Sequence, residues 1–172
     1  ETSLRFLMKL AKHSSVSVRR MAIKAITNTR DNQQSAIFEF IDDPDLSVSN
    51  VILKYLGQSR SEVAENILLQ YLQNRRFKDA QNEHIIESFQ TLGKCGSFKS
   101  IPFLRKTLLH RKWMAGWSKS TYRKGAALAL VALNIPEARQ IIEEAGRSFY
   151  PGLRKIAREA GKDISSQNRG GR

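Results

Sequence analysis

Cysteine occurs once in 172 residues, at Cys95, so no disulfide can form within the chain, and a reducing compartment, read as the cytoplasm, is expected. The chain also lacks any hydrophobic run near the roughly 20 residues that a bilayer span needs. Its most apolar stretch, Ala126 to Leu133, is far shorter, so no membrane span is expected. Proline and glycine are sparse and spaced out, which suits helices joined by short turns. No segment alternates with period two over the length of a strand. The opening residues, Glu1-Thr2-Ser3-Leu4-Arg5, carry neither Met nor the basic-then-apolar order of a secretory signal, and the expectation is a fragment of a longer protein with no export address.

Carboxylates are missing from one long interval. Between Glu87 and Glu137 there is none, while Lys94, Lys99, Arg105, Lys106, Arg111, Lys112, Lys119, Arg123 and Lys124 all fall there. Residues 1–93 hold 12 basic and 11 acidic groups, and residues 94–172 hold 17 and 5, so the net charge of +13 belongs almost entirely to the second half. Such a field favours an anionic partner: an acidic protein face or segment, nucleic acid, or an anionic membrane surface.

What is present is helical periodicity, repeated. Leu4, Leu7 and Met8, then Val18, Met21, Ala22, Ala25 and Ile26, trace apolar faces on two helices split by His13-Ser14-Ser15. Ile37, Phe38 and Ile41 precede a break at Asp42-Asp43-Pro44-Asp45, after which Val48, Val51, Ile52, Tyr55 and Leu56 resume the pattern. Ser47 or Asp45 can cap the helix that starts there. Further pairs run from Val63 to Leu72 with His84 to Leu92, Ile101 to Leu109 with Tyr122 to Leu133, and Ala138 to Ala145 with Leu153 to Ala160. The second helices align on Ile26, Leu56, Leu92 and Leu130, and Leu56-Gly57 and Leu92-Gly93 are expected to close their helices with a left-handed glycine. Each pair alone exposes an apolar face, so the pairs must stack.

Asp43-Pro44-Asp45-Leu46-Ser47-Val48 followed by Leu56-Gly57, Val18-Arg19-Arg20 with Ala22, and Ala126 to Leu130 through Ile135-Pro136-Glu137-Ala138 together resemble HEAT repeats, in particular the short bacterial variety also called PBS-lyase HEAT-like repeats. The resemblance covers about residues 4–161 and implies an all-α superhelix, an α-solenoid of about five antiparallel helix pairs, at approximately 1–30, 31–60, 61–96, 97–134 and 135–161. A disordered basic tail is expected over 162–172. Ser49 stands where the family usually has an arginine and only the second unit keeps the turn aspartate, so a regular Asp–Arg ladder between units is not expected.

No catalytic, metal or cofactor site is expected. His13, His84 and His110 are scattered, there is no glycine-rich phosphate loop, and Glu143-Glu144 and Asp42-Asp43 are adjacent in sequence and read as surface charge. Cys95, after Leu92-Gly93-Lys94, occupies a slot that HEAT units often fill with a buried aliphatic, and reads as a small hydrophobe. The resemblance implies that the second helices line the concave face. The partner-binding candidates are therefore Arg19, Arg20, Lys24, Arg123, Lys124, Arg154, Lys155 and Arg158, with Lys54 in the same set of positions. A long connection inside the fourth unit adds Arg111, Lys112, Trp113, Trp117 and Lys119, either as a binding edge or with a tryptophan folded back as a lid. The expected function is a non-catalytic protein-interaction scaffold for an acidic partner, with nucleic-acid binding as the alternative. The enzymatic extreme of that alternative resembles the alkylpurine DNA glycosylases, yet no Asp lies near Trp113 or Trp117.

Overall fold

The computed structural model describes residues 2–29, 34–74, 82–110 and 118–167, the side chains at 2, 34–35, 118–119 and 163–167 excepted. Helices form where apolar residues recur at three and four: α1 Thr2–Leu10, α2 Val16–Thr27, α3 Gln34–Ile37, α4 Leu46–Ser59, α5 Glu62–Asn74, α6 Asn82–Cys95, α7 Ile101–Leu109, α8 Ser118–Leu133, α9 Pro136–Gly146 and α10 Pro151–Gln167. Single 3-10 turns at Phe38–Phe40 and Phe98–Ser100 adjoin α3 and α7. Among the described residues there is no strand, and no helix is long and apolar enough to cross a membrane. Helix α10 runs to Gln167, past residue 161 where the sequence reading ends the repeats; residues 168–172 lie outside the described residues.

Local chemistry sets the starts and stops. Asp45 is the N-cap of α4, its carboxylate accepting the Ser47 amide at 2.9 Å and the Ser47 hydroxyl at 2.6 Å. Pro136 and Pro151 open α9 and α10, where a missing N–H removes no helical bond. The left-handed stops are not glycines: Arg60 follows α4 with φ 42° and Asn134 follows α8 with φ 51°. The expectation that Gly57 and Gly93 close their helices is corrected here, since both lie inside α4 and α6. Their use is close packing. A Cβ on Gly93 would stand 2.7 Å from the Ala129 carbonyl oxygen of α8, and one on Gly57 would meet the Thr91 methyl at 3.3 Å.

The helices stack in two layers. In the second layer α2 packs on α4, α4 on α6, α6 on α8 and α8 on α10, while α1, α5, α7 and α9 each pack on the helix that follows. One continuous core results, with Ala126 to Leu130 of α8 buried on every side. Phe89 of α6 anchors its centre, near-parallel to Phe103 at 5.9 Å and edge-on to Tyr122 at 5.4 Å. Gly125 makes room for that ring, because a Cβ there would fall 2.5 Å from Phe89.

Polar joints tie one pair to the next. Arg19 of α2 donates to both carboxylate oxygens of Asp43, at 2.7 and 2.9 Å, and to the carbonyls of His13 and Ser14. The sequence reading, which expected no regular Asp–Arg ladder, had no place for this one Asp–Arg brace between the first two pairs. The buried carboxylate of Glu65 on α5 accepts the Ser97 amide and hydroxyl at 2.8 Å each and the Ser100 hydroxyl at 2.6 Å, fixing the turn before α7. Arg105 of α7 meets Glu144 of α9 at 2.8 Å.

Candidate interaction surface

Charge separates by layer. Helices α1, α3, α5, α7 and α9 with the two 3-10 turns carry six cations and six carboxylates, whereas α2, α4, α6, α8 and α10 carry twelve cations and four carboxylates. The first layer also neutralises itself in contact, through Arg105 with Glu144 and Lys99 with Glu62. Of the second-layer cations, Arg19 is paired with Asp43 and Lys155 lies 3.9 Å from Glu159. Arg20, Lys24, Lys54, Lys94, Lys124 and Arg158 are exposed, with no ion pair to a described carboxylate.

The candidate residues thus divide by environment. The Arg19 side chain is 13% exposed and its guanidinium is occupied by Asp43, so its place is structural. Burial raises the Asp43 carboxyl, but hydrogen bonds from Arg19 and the Asp45 amide outweigh it and hold the pKa below the ordinary value. Arg123 is half-buried, donates to the His110 carbonyl at 3.3 Å, and has its pKa lowered by burial. Arg154 spans the α9–α10 turn to the Ser148 carbonyl at 3.1 Å. Arg20, Lys24, Lys124, Lys155 and Arg158 are exposed. Arg111, Lys112, Trp113 and Trp117, and the side chain of Lys119, lie outside the described residues.

Arg20 and Lys24 from α2 and Lys54 from α4 come together on a groove of about 630 Å³ between the two helices. Met21, Val51 and Tyr55 form its apolar part beside Thr27, Asn28 and Gln58, and among the described residues no carboxylate lines it. The sequence pattern places Met21 on the apolar face of α2, whereas in the fold it is 71% exposed. The core side of α2 is filled by Ala22, Ile23 and Ile26, which leaves Met21 on the opposite side of the helix. Periodicity could not separate the two, since Met21 shares a face with the apolar Val18 and Ala25, three and four residues away.

A second cavity, of about 380 Å³, lies where α5 begins and α6 and α8 end. Its carboxylates are engaged, Glu65 by the serines and Glu62 by Lys99. Cys95 borders it, and burial, with Glu65 adding, pushes the thiol up to about 12, far from a nucleophile's range. His84 is buried with its Nε2 2.7 Å from the Tyr71 hydroxyl. Among the described residues no three His, Cys, Asp or Glu gather as a metal-holding group. Residues 4–87, from α1 to the middle of α6, match the family of HEAT repeats, and no curated protein matches the chain.

Proposed function

Because residues 4–87 are HEAT repeats within an all-α solenoid, we propose that the protein is a non-catalytic scaffold that holds an acidic segment of a partner protein along its second layer of helices. HEAT repeats commonly serve as protein-interaction scaffolds. The observation that carries the reading is the segregation of charge: a balanced, self-paired first layer against a second layer with twelve cations to four carboxylates. An excess of that sign on one face concentrates acidic partners and orients them before contact. The binding set on this reading is Arg20, Lys24, Lys54, Lys124, Lys155 and Arg158, joined by whatever Arg111, Lys112, Trp113, Trp117 and Lys119 supply. Arg19 contributes by bracing the first two pairs.

A titration with a glutamate-rich peptide, followed by amide NMR shifts, tests this. The shifts are expected on α2, α4, α6, α8 and α10. Shifts confined to α1, α5, α7 and α9, or no binding up to about millimolar peptide, the weak end of useful affinity, would overturn the scaffold reading.

A further inference from the structure

Resting on the scaffold reading, we infer that the groove between α2 and α4 is a specificity site for a protein segment that presents one apolar side chain between carboxylates. Three features of the groove carry this. Its apolar part is exposed where an uncommitted helix surface would be polar: Met21 is 71% in solvent although three apolar residues on the other side of α2 already fill the core. An exposed methionine beside Val51 and the half-buried Tyr55 forms an adaptable surface for an aliphatic or aromatic side chain, since the thioether chain repacks easily. Around that surface stand Arg20, Lys24 and Lys54, and among the described residues no carboxylate lines the groove to neutralise them.

This combination sets the occupant's chemistry. A purely acidic chain would satisfy the cations and leave Met21 in water, and a purely apolar one would strand three cations against a dry ligand, which is costly. A segment with carboxylates on both sides of a leucine or phenylalanine satisfies both. Nucleic acid fits less well, because single strands use aromatic platforms, and among the described residues the groove's one aromatic, Tyr55, is half-buried at its wall. The volume of about 630 Å³ lies within the range of binding pockets and accommodates one large side chain with room for the flanking backbone.

The test compares short labelled peptides by fluorescence anisotropy: glutamates flanking a leucine, the same peptide with serine for leucine, and the leucine peptide with glutamine for glutamate. An oligothymidylate serves as competitor. The leucine peptide should bind about tenfold tighter than the serine peptide, the value of partly burying one such side chain. Met21→Glu should abolish that preference, Lys54→Glu should weaken both acidic peptides, and Arg158→Glu, remote on α10, should leave the preference intact. Met21 and Lys54 are exposed, so both variants should melt with the wild type. Equal binding of leucine and serine peptides, or a leucine preference that survives Met21→Glu, overturns the inference while leaving the scaffold reading in place. Failure of every acidic peptide to bind overturns the scaffold reading. Displacement of the leucine peptide by oligothymidylate with equal loss in Met21→Glu assigns the groove to nucleic acid and overturns the inference.

Discussion

Two residues, Asp43 and Cys95, show how one environment can make a side chain matter and another silence it. Asp43 is held by two guanidinium bonds and by the Asp45 amide, so its carboxyl titrates lower folded than unfolded. A depressed carboxyl contributes stability above its unfolded value, about 3.9, and loses it as pH falls through the lower folded value. Asp43→Ala should therefore cost about 2 kcal/mol at neutral pH, the worth of hydrogen bonds to a charged group. Asp43→Asn should flatten, without abolishing, the fall in melting temperature below about pH 4. The fall should persist in part because Ser47 holds the Asp45 carboxyl low, and because Ser100 and Ser97 outweigh the effect of burial on Glu65. Urea melts of both variants across pH would check this, and an unchanged acid profile in Asp43→Asn would mean that the Arg19–Asp43 brace carries none of the acid sensitivity. Cys95 is the opposite case. Buried and pushed up to about 12, its thiol should resist iodoacetamide at pH 8 in the native protein and react fully in urea, as mass spectrometry can follow.

Among the elements, glycine separates helix packing from helix propensity. The Gly93 and Gly125 positions let α6 and α8 approach, and in each case the first atoms a Cβ would meet, the Ala129 backbone or the buried Phe89 ring, cannot move aside cheaply. Gly93→Ala and Gly125→Ala should each cost about 1–3 kcal/mol by overpacking. Gly57→Ala meets only a methyl at 3.3 Å and should cost less. Gly161, inside α10 with open space around it, should gain about 1 kcal/mol on replacement by alanine through helix propensity alone. Thermal melts in which Gly93→Ala and Gly125→Ala cost no more than Gly57→Ala would mean that α6 and α8 are not tightly docked. This is also where the sequence misled. A Leu-Gly dipeptide looks the same whether the glycine ends a helix or admits a neighbour, and only the partner helix, about 36 residues away at Ala129, decides. The pairing of helices and the Asp45 cap were readable because their causes are local. The Arg19–Asp43 brace and the exposure of Met21 depend on residues brought together from different pairs, and no local pattern encodes them.

Over the whole molecule, the sequence located the basicity in the second half of the chain, whereas the fold sorts it by layer. That re-sorting was hidden because cations three and four apart on a helix share a face, while successive helices go to opposite sides of the stack. Arg20, Lys24 and Lys54, from the half with nearly balanced charge, join Lys124 and Arg158 from the basic half on one layer. The net excess there is self-repulsive, and repulsion on one face opposes the compact state. Raising sodium chloride from about 50 mM to about 0.5 M shortens the screening length from beyond 10 Å to about 4 Å, so the melting temperature of the free protein should rise. A bound glutamate-rich peptide should do what salt does, and more selectively. It adds stability by mass action at low salt, and because its attraction is screened by the same ions, its increment should shrink as salt increases. The two salt dependences therefore have opposite signs: free protein stabilised, peptide increment lost. Scanning calorimetry across that range, with and without peptide, measures both. A free-protein melting temperature that falls or stays level would mean that the second-layer cations stand too far apart to act as one field, and an acidic partner would then be held by single grooves.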